Sequence, residues 1–403
     1  MQIPRSNATE RMSRPNRVFH HIRGKKPGAT LVFFAGIHGN EFAGVNALNA
    51  VLSEIDASDI SGEIIGVYGN IKALKENKRF IERDLNRVWT SKHLSDLKKE
   101  INPTNELLEQ QDLYRFIEGL LSSTEHPIYF IDLHTTSSQT LPFITINDAM
   151  INRKFSSCFG IPVVLGIEEY LEGPLLSYLN TLGYVSLGFE SGQHADPEAI
   201  RNCEAFVFLA LVFTDILKRP KSSTIQYHKD ILKEATKAIN STFEVVYKYH
   251  IKPEEDFKML KGFISFQNVK KGTHLANSNG KAIHSEYTAK LFMPLYQKTG
   301  SDGFFIIRHI PKVFLKLSQF LRGVKADHLL TFLPGITWYN KSEGVLKANL
   351  TVARFLTKSI FHLFGYRNKQ LDQTHLLLYN RERVARKKMY QNEKWYKKTS
   401  VTN

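Results

Sequence analysis

The sequence predicts an α/β fold: a mixed, mostly parallel sheet flanked by helices, then a small all-β domain and a basic helical C-terminal extension. Three observations lead there. Residues 1–235 alternate apolar strand-like runs with segments of helical spacing. Residues 236–310 switch to short alternating segments separated by Lys-Gly and Asn-Gly turns. Residues 311–403 return to helical spacing and carry most of the positive charge.

Taken in order, "TLVFFAG" (residues 30–36) is a buried strand rich in Val and Phe. Helical spacing follows at Phe42, Val45, Leu48, Val51, Leu52 and Ile55. "GEIIGVYGN" is a second strand, closed by Gly69 and Asn70. A helix over "NELLEQQDLYRFIEGLLSS" leads into the strand "PIYFIDLHT", which ends in polar residues. "LPFITIN", "IPVVLG" and "GYVSLGFE" are further strands. A long helix then starts at Pro197, with Asp196 as its N-cap. "FEVVYKYHI", "GFISFQNV" and "DGFFIIRH" make up the expected β domain. "VFLKLSQFLRGV", "VLKANLTVARFLTKSIFHLF" and "RERVARKKMYQNEKWYKK" read as helices of the extension, the last with too few apolar positions to bury a large face.

The 403 residues are 42% hydrophobic and 23% charged, a globular profile with room for a large core. No apolar run reaches 18 residues, so no membrane span is expected. The polar N-terminal stretch lacks the apolar centre of a signal peptide. Cys158 and Cys203 are too few for a disulfide framework or a cysteine-based zinc site, and read as reduced thiols of a cytoplasmic protein. The net charge of +15 is uneven: residues 311–403 hold 18 Lys and Arg against 5 Asp and Glu, a net of +13. Basic character therefore belongs to the extension. An anionic partner for it is one reading, and a solvated helical face is the other. No groove-reading motif points to sequence-specific nucleic-acid binding.

Four polar clusters lie at predicted strand ends, where open α/β sheets bind ligands: "HGNE" (38–41), "KRFIERDLNRVW" (78–89), "DLHTT" (132–136) and "FESGQH" (189–194). Two imidazoles and a carboxylate suit a catalytic zinc, which takes three protein ligands and a water. His38, Glu41 and His134 fit that pattern, two near neighbours and one distant ligand. Glu190 is then free to act as a base, and Arg79, Arg83 and Arg87 offer guanidinium groups to a carboxylate or an oxyanion. Taken singly, each has a plainer reading: a strand-end histidine, a surface ion pair, a helix cap.

"GIHGNE", "RDLNR", "DLHTT" and "FESGQH", in this order, resemble the succinylglutamate desuccinylase and aspartoacylase family, a branch of the zinc-carboxypeptidase-like fold. The resemblance covers about residues 28–310. It implies one zinc per chain on His38, Glu41 and His134, with Glu190 as general base and acid. It also implies that Arg79 polarises the scissile carbonyl and that Asn86 and Arg87 hold a substrate carboxylate. Asp84 would orient its loop, and Asp132 would orient a ligand or serve the fold.

One departure narrows this. Aspartoacylases carry a further arginine roughly ten residues before the catalytic glutamate, whereas "SYLNTLGYVSLGFE" has neither arginine nor lysine. N-acetylaspartate is therefore not specified. The expectation is a zinc-dependent amidohydrolase acting on a small N-acylated substrate, compatible with a homo-oligomer. The rivals are a zinc carboxypeptidase or amidase acting on a peptide or cell-wall fragment, and a non-catalytic binding protein working through its basic tail.

Overall fold

A strand buried on both faces must be apolar at every position, as Leu31–Ala35 is. The computed structural model describes residues 16–97, 104–353, 358–370 and 374–397, and it places that run at the centre of a large sheet. The polar N-terminal stretch up to residue 15 lies outside the described residues. The strands are β1 (Val18–Arg23), β2 (Lys26–Ala35), β3 (Ser61–Tyr68), β4 (Ile128–Thr136), β5 (Phe143–Ile146), β6 (Val163–Leu165), β7 (Val185–Gln193), β8 (Thr242–His250), β9 (Phe257–Met259), β10 (Asn268–Val269), β11 (His274–Ser278), β12 (Lys281–His284), β13 (Ala289–Phe292) and β14 (Asp302–His309).

Among the described residues the main sheet has the order β1-β3-β2-β4-β7-β5-β6-β8-β14-β13-β10. Its centre, β3-β2-β4-β7, is parallel. Side chains alternate across it, as the two-residue period of a strand requires. Leu31, Phe33, Tyr129 and Ile131 face the helices Ala43–Leu52 and Pro197–Phe213. Val32, Phe34, Ile128 and Phe130 face the helix Asn105–Ser123. Asp196 caps its helix as expected, accepting from the Glu198 N–H at 3.0 Å. No described helix is long and apolar enough to cross a membrane.

Two expectations about the later chain meet a different structure. The boundary expected at 235/236 is crossed by the main sheet. β8 pairs in parallel with β6, and β14, β13 and β10 continue outward antiparallel. Without β8, the short strand β6 would leave its backbone groups unpaired on that side. Among the strands of residues 236–310, β9, β11 and β12 form a separate small sheet.

The extension is not purely helical. After the helix Lys312–Gly323 come β15 (Ile336–Asn340), β16 (Val345–Asn349), β17 (Tyr366–Gln370) and β18 (His375–Asn380), an antiparallel sheet in the order β15-β16-β18-β17. Its core takes Leu346 and Ala348 from one strand and Leu376 and Leu378 from its neighbour, a two-residue period. Short apolar runs fit strand and helix alike, and pairing partners decided between them. Residues 354–357 of the segment expected to be one helix lie outside the described residues.

The last basic segment was expected to be exposed. Instead Tyr390 and Trp395 are buried in the main core. Trp395 Nε1 donates to the Tyr129 hydroxyl at 2.9 Å, and that hydroxyl donates to Glu393 at 3.0 Å. The Tyr390 hydroxyl donates to the Ile128 carbonyl and accepts from the Val185 N–H at 3.0 Å, tying the tail to the starts of β4 and β7.

Candidate metal centre and active site

The parallel strands β2, β4 and β7 end on one edge, and the four polar clusters gather beyond it. β2 stops at Ala35, and Gly36 turns the chain with φ +70°, a conformation that favours glycine. Gly39 lies so close to the helix Ile71–Glu76 that a Cβ would stand 2.0 Å from the Ala73 carbonyl carbon. The turn packed in this way buries His38 and Glu41.

Asp132 and His134 share the face of β4 that carries Phe130, two and four residues on. His134 stands opposite Glu190 in the β4–β7 register. One cavity of about 140 Å³ is lined by His38, Glu41, Arg79, Asp84, Asn86, Arg87, Asp132, His134 and Glu190. Every residue given a role in the sequence except Arg83 therefore lines one space. Arg83, offered as a further guanidinium, is exposed and does not line it.

His38 Nδ1 is 2.7 Å from Glu41 Oε1, and His134 Nδ1 is 2.9 Å from Glu41 Oε2. The other ring nitrogens face carboxylates outside the trio: His38 Nε2 is 3.1 Å from Asp84, and His134 Nε2 is 2.8 Å from Asp132. Those outer contacts favour the proton on Nε2 and leave the Nδ1 lone pairs turned toward Glu41. Lone pairs facing a carboxylate repel unless a cation stands among them or the rings take a second proton. One donor atom from each of the three lies within 4.8 Å of the others. Two imidazoles and one carboxylate, each backed by a further contact, are a donor set that fits zinc.

The titration of these groups reflects that crowding. Burial works against charge on Glu41, but the His38 and His134 rings outweigh it and hold the carboxyl well below its usual range. Burial likewise opposes charge on His134, yet Asp132 and Glu41 raise the ring well above the ordinary histidine value. Glu190 moves the other way. Burial pushes it up to about 8, helped by the Glu41 and Asp132 charges and opposed by His134. Its Oε2 is buried and has no hydrogen-bond partner among the described residues.

The loop from residue 78 to 89 supplies the remaining groups. Arg79 Nε and Nη2 donate to Asp84 Oδ2 at 3.3 and 3.0 Å, and Nη1 lies 3.8 Å from Glu41. Asp84 thus orients both Arg79 and His38, and its Oδ1 also accepts from the Asn86 N–H at 2.9 Å. Asn86 Oδ1 accepts from the Leu175 N–H at 2.9 Å. Arg87 Nη2 donates to Asp302 at 2.7 Å, and Lys248 donates to the other oxygen of that carboxylate at 3.1 Å.

Sequence reasoning missed Asp302, Lys248 and Glu106. Buried Glu106 accepts the N–H groups of Ile81, Glu82 and Arg83 and so pins the loop. None of the three lies in a motif. Thr135 and His194 stood inside quoted motifs without a role; the Thr135 N–H donates to Glu41 at 3.1 Å, and His194 Nδ1 is 2.7 Å from the Thr135 hydroxyl.

Part of the sequence and the fold have counterparts among known proteins. Residues 27–211 match the model of the succinylglutamate desuccinylase/aspartoacylase catalytic domain. That stretch, just under half of the chain, is similar to the catalytic domain of this family. The chain is 29% identical over 116 residues to a succinylglutamate desuccinylase of Pseudomonas aeruginosa, covering 28% of this chain and 33% of that protein. It is 32% identical over 110 residues to one of Pseudomonas fluorescens, covering 27% and 31%. The match therefore spans about a third of the length of these curated relatives. The fold resembles that of a succinylglutamate desuccinylase/aspartoacylase from Rhodobacter sphaeroides, with TM-score 0.55 and 15% identity over 72% of this chain and 88% of that one. A succinylglutamate desuccinylase from Silicibacter sp. TM1040 gives TM-score 0.52 and 16% identity over the same shares. At such identities the likeness of the family's solved structures concerns the fold.

Proposed function

We propose that this chain is a zinc-dependent amidohydrolase that splits the amide bond of an N-acyl amino acid or a related small carboxylate-bearing molecule. The observation that carries this reading is the convergence of His38, Glu41 and His134 beside Glu190, a buried carboxyl with an unpartnered oxygen on the next strand. His38, Glu41 and His134 would hold one zinc. When bound, that ion supplies a Lewis acid and a water acidic enough to attack near neutral pH. Glu190 would take a proton from the attacking water and return it to the leaving amine. Arg79, held in place by Asp84, directs a permanent positive charge at the carbonyl oxygen as it gains negative charge. Asp84 and Asp132 keep the two rings oriented.

Substrate recognition falls to Asn86 and Arg87. Arg87 and Lys248 share the single carboxylate of Asp302, so the three groups keep a net positive charge that a substrate carboxylate can neutralise. A cavity of about 140 Å³ suits a small molecule better than a peptide. Relatives named succinylglutamate desuccinylases support deacylation.

The test is release of free amine from a panel of N-acetyl and N-succinyl amino acids with acidic, neutral and basic side chains. The expected result is turnover of an acidic member, abolished by a chelator and restored by zinc. Zinc-loaded protein that cleaves no member of the panel contradicts the reading.

A further inference from the structure

The helix Lys312–Gly323 is amphipathic in the reverse of the usual sense. The face it packs inward is largely polar: beside Leu315, which packs on the main core, Ser318 and Arg322 are buried, with Ser318 donating to the Leu363 carbonyl at 2.9 Å and Arg322 donating to Asp148 at 2.7 Å. The outward stripe is apolar. Val313, Leu317 and Phe320 recur at helical spacing, Val324 continues the row just past the helix end, and all four are exposed, Phe320 by 63%. In the next turn of chain, Ala326–Phe332, Leu329 and Phe332 are exposed as well, Phe332 by 81%. A soluble monomer rarely leaves so many large apolar side chains uncovered in one short segment.

Charge identifies the occupant. Exposed Lys316 and Lys325 flank the stripe, and the region they belong to has a net charge of +13. A second copy on this face would bring two such regions together, and like charges oppose that. A nucleic acid could stack bases on Phe320 and Phe332 but would leave the aliphatic row of Val313, Leu317 and Val324 uncovered. An anionic lipid surface satisfies both features at once: apolar side chains enter the boundary between head groups and acyl chains while lysines meet the phosphates. We propose that this face docks on an anionic membrane surface.

The experiment is vesicle flotation of the full chain with phosphatidylcholine alone and with phosphatidylcholine mixed with phosphatidylglycerol. Wild type is compared with the double variant Phe320→Ser/Phe332→Ser, whose thermal melting checks the fold. Oligomeric state is followed in parallel by sedimentation equilibrium. The expected result is binding to the anionic vesicles only, weakened by salt, and at least about tenfold weaker in the folded double variant. Wild type that stays unbound contradicts the proposal. So does a folded variant that binds as tightly as wild type. A dimer that the variant abolishes, with no vesicle binding, assigns the face to a second copy instead.

Discussion

Two buried charge clusters lie in this molecule, and their cations set them apart. Around Asp148 and Glu169 the cations are mostly arginines. Asp148 pairs with Arg153 and with Arg322 at 2.7 Å, and Glu169 pairs with Arg381 at 2.7 Å and with His362 at 2.9 Å. Guanidinium groups keep their charge and match carboxylates in shape, so this cluster neutralises itself. It joins the extension to the catalytic sheet. Around Glu41 the bases are imidazoles, whose inner lone pairs converge on one point while carboxylates hold their outer edges. The first cluster balances its charges with its own cations; the second offers the donor set that the proposed zinc would complete. Buried charge alone therefore does not mark a functional site, whereas convergent lone pairs do.

The largest effect that sharpens this contrast is on turnover. Glu190→Gln keeps the shape and removes the proton acceptor, so kcat falls about 10²–10⁴-fold while zinc content stays at the wild-type level. A variant with near wild-type kcat removes Glu190 from the mechanism.

Stability should respond at the other end of the molecule. Trp395→Ala opens a hole among Tyr129, Phe155 and Tyr390, and costs about 3–5 kcal/mol in chemical denaturation. Truncation after Asn380 removes Tyr390 as well and should lose more. An unchanged denaturation midpoint for the Trp395 variant contradicts the tail's place in the core.

The arginine cluster also predicts a response to acid. Burial works against charge on Glu169, but His362 and Arg381 outweigh it and lower the carboxyl to about 2 from an ordinary 4.5. A depressed carboxyl contributes stability that is fully present above pH 4.5 and is lost as pH falls toward 2. Glu169→Gln should flatten the loss of stability in that window, and a variant as acid-sensitive as wild type excludes this origin.

A smaller effect is expected on specificity. Arg87→Lys loses the planar two-pronged grip and should raise KM for acidic substrates about tenfold more than for neutral ones. Asp302→Asn should move KM for acidic substrates the other way, because it removes a competing carboxylate from Arg87. Equal changes on acidic and neutral substrates contradict carboxylate binding there.

Much of the catalytic half was legible because each of its elements announces itself locally. Leu31–Ala35 is apolar throughout, and His38, Glu41, His134 and Glu190 sit where predicted strands stop. Asp302, Lys248 and Glu106 were not legible because only tertiary pairing brings them to the loop around Arg87. The extension misled for two physical reasons. Its strands alternate over too few residues to exclude a helix. Tyr390 and Trp395 stand among lysines and arginines that read as solvated, yet two large aromatic side chains are enough to anchor the segment.

The central claim is that the three convergent donors hold a metal, and elemental analysis of the purified protein tests it most directly. Wild type and His134→Ala are stripped with a chelator, dialysed against zinc under identical conditions and compared for zinc per chain, with circular dichroism as a check of fold. Close to one zinc in wild type and far less in the folded variant is the predicted result. A folded variant that retains as much zinc as wild type, or a wild type that takes up none, contradicts the account.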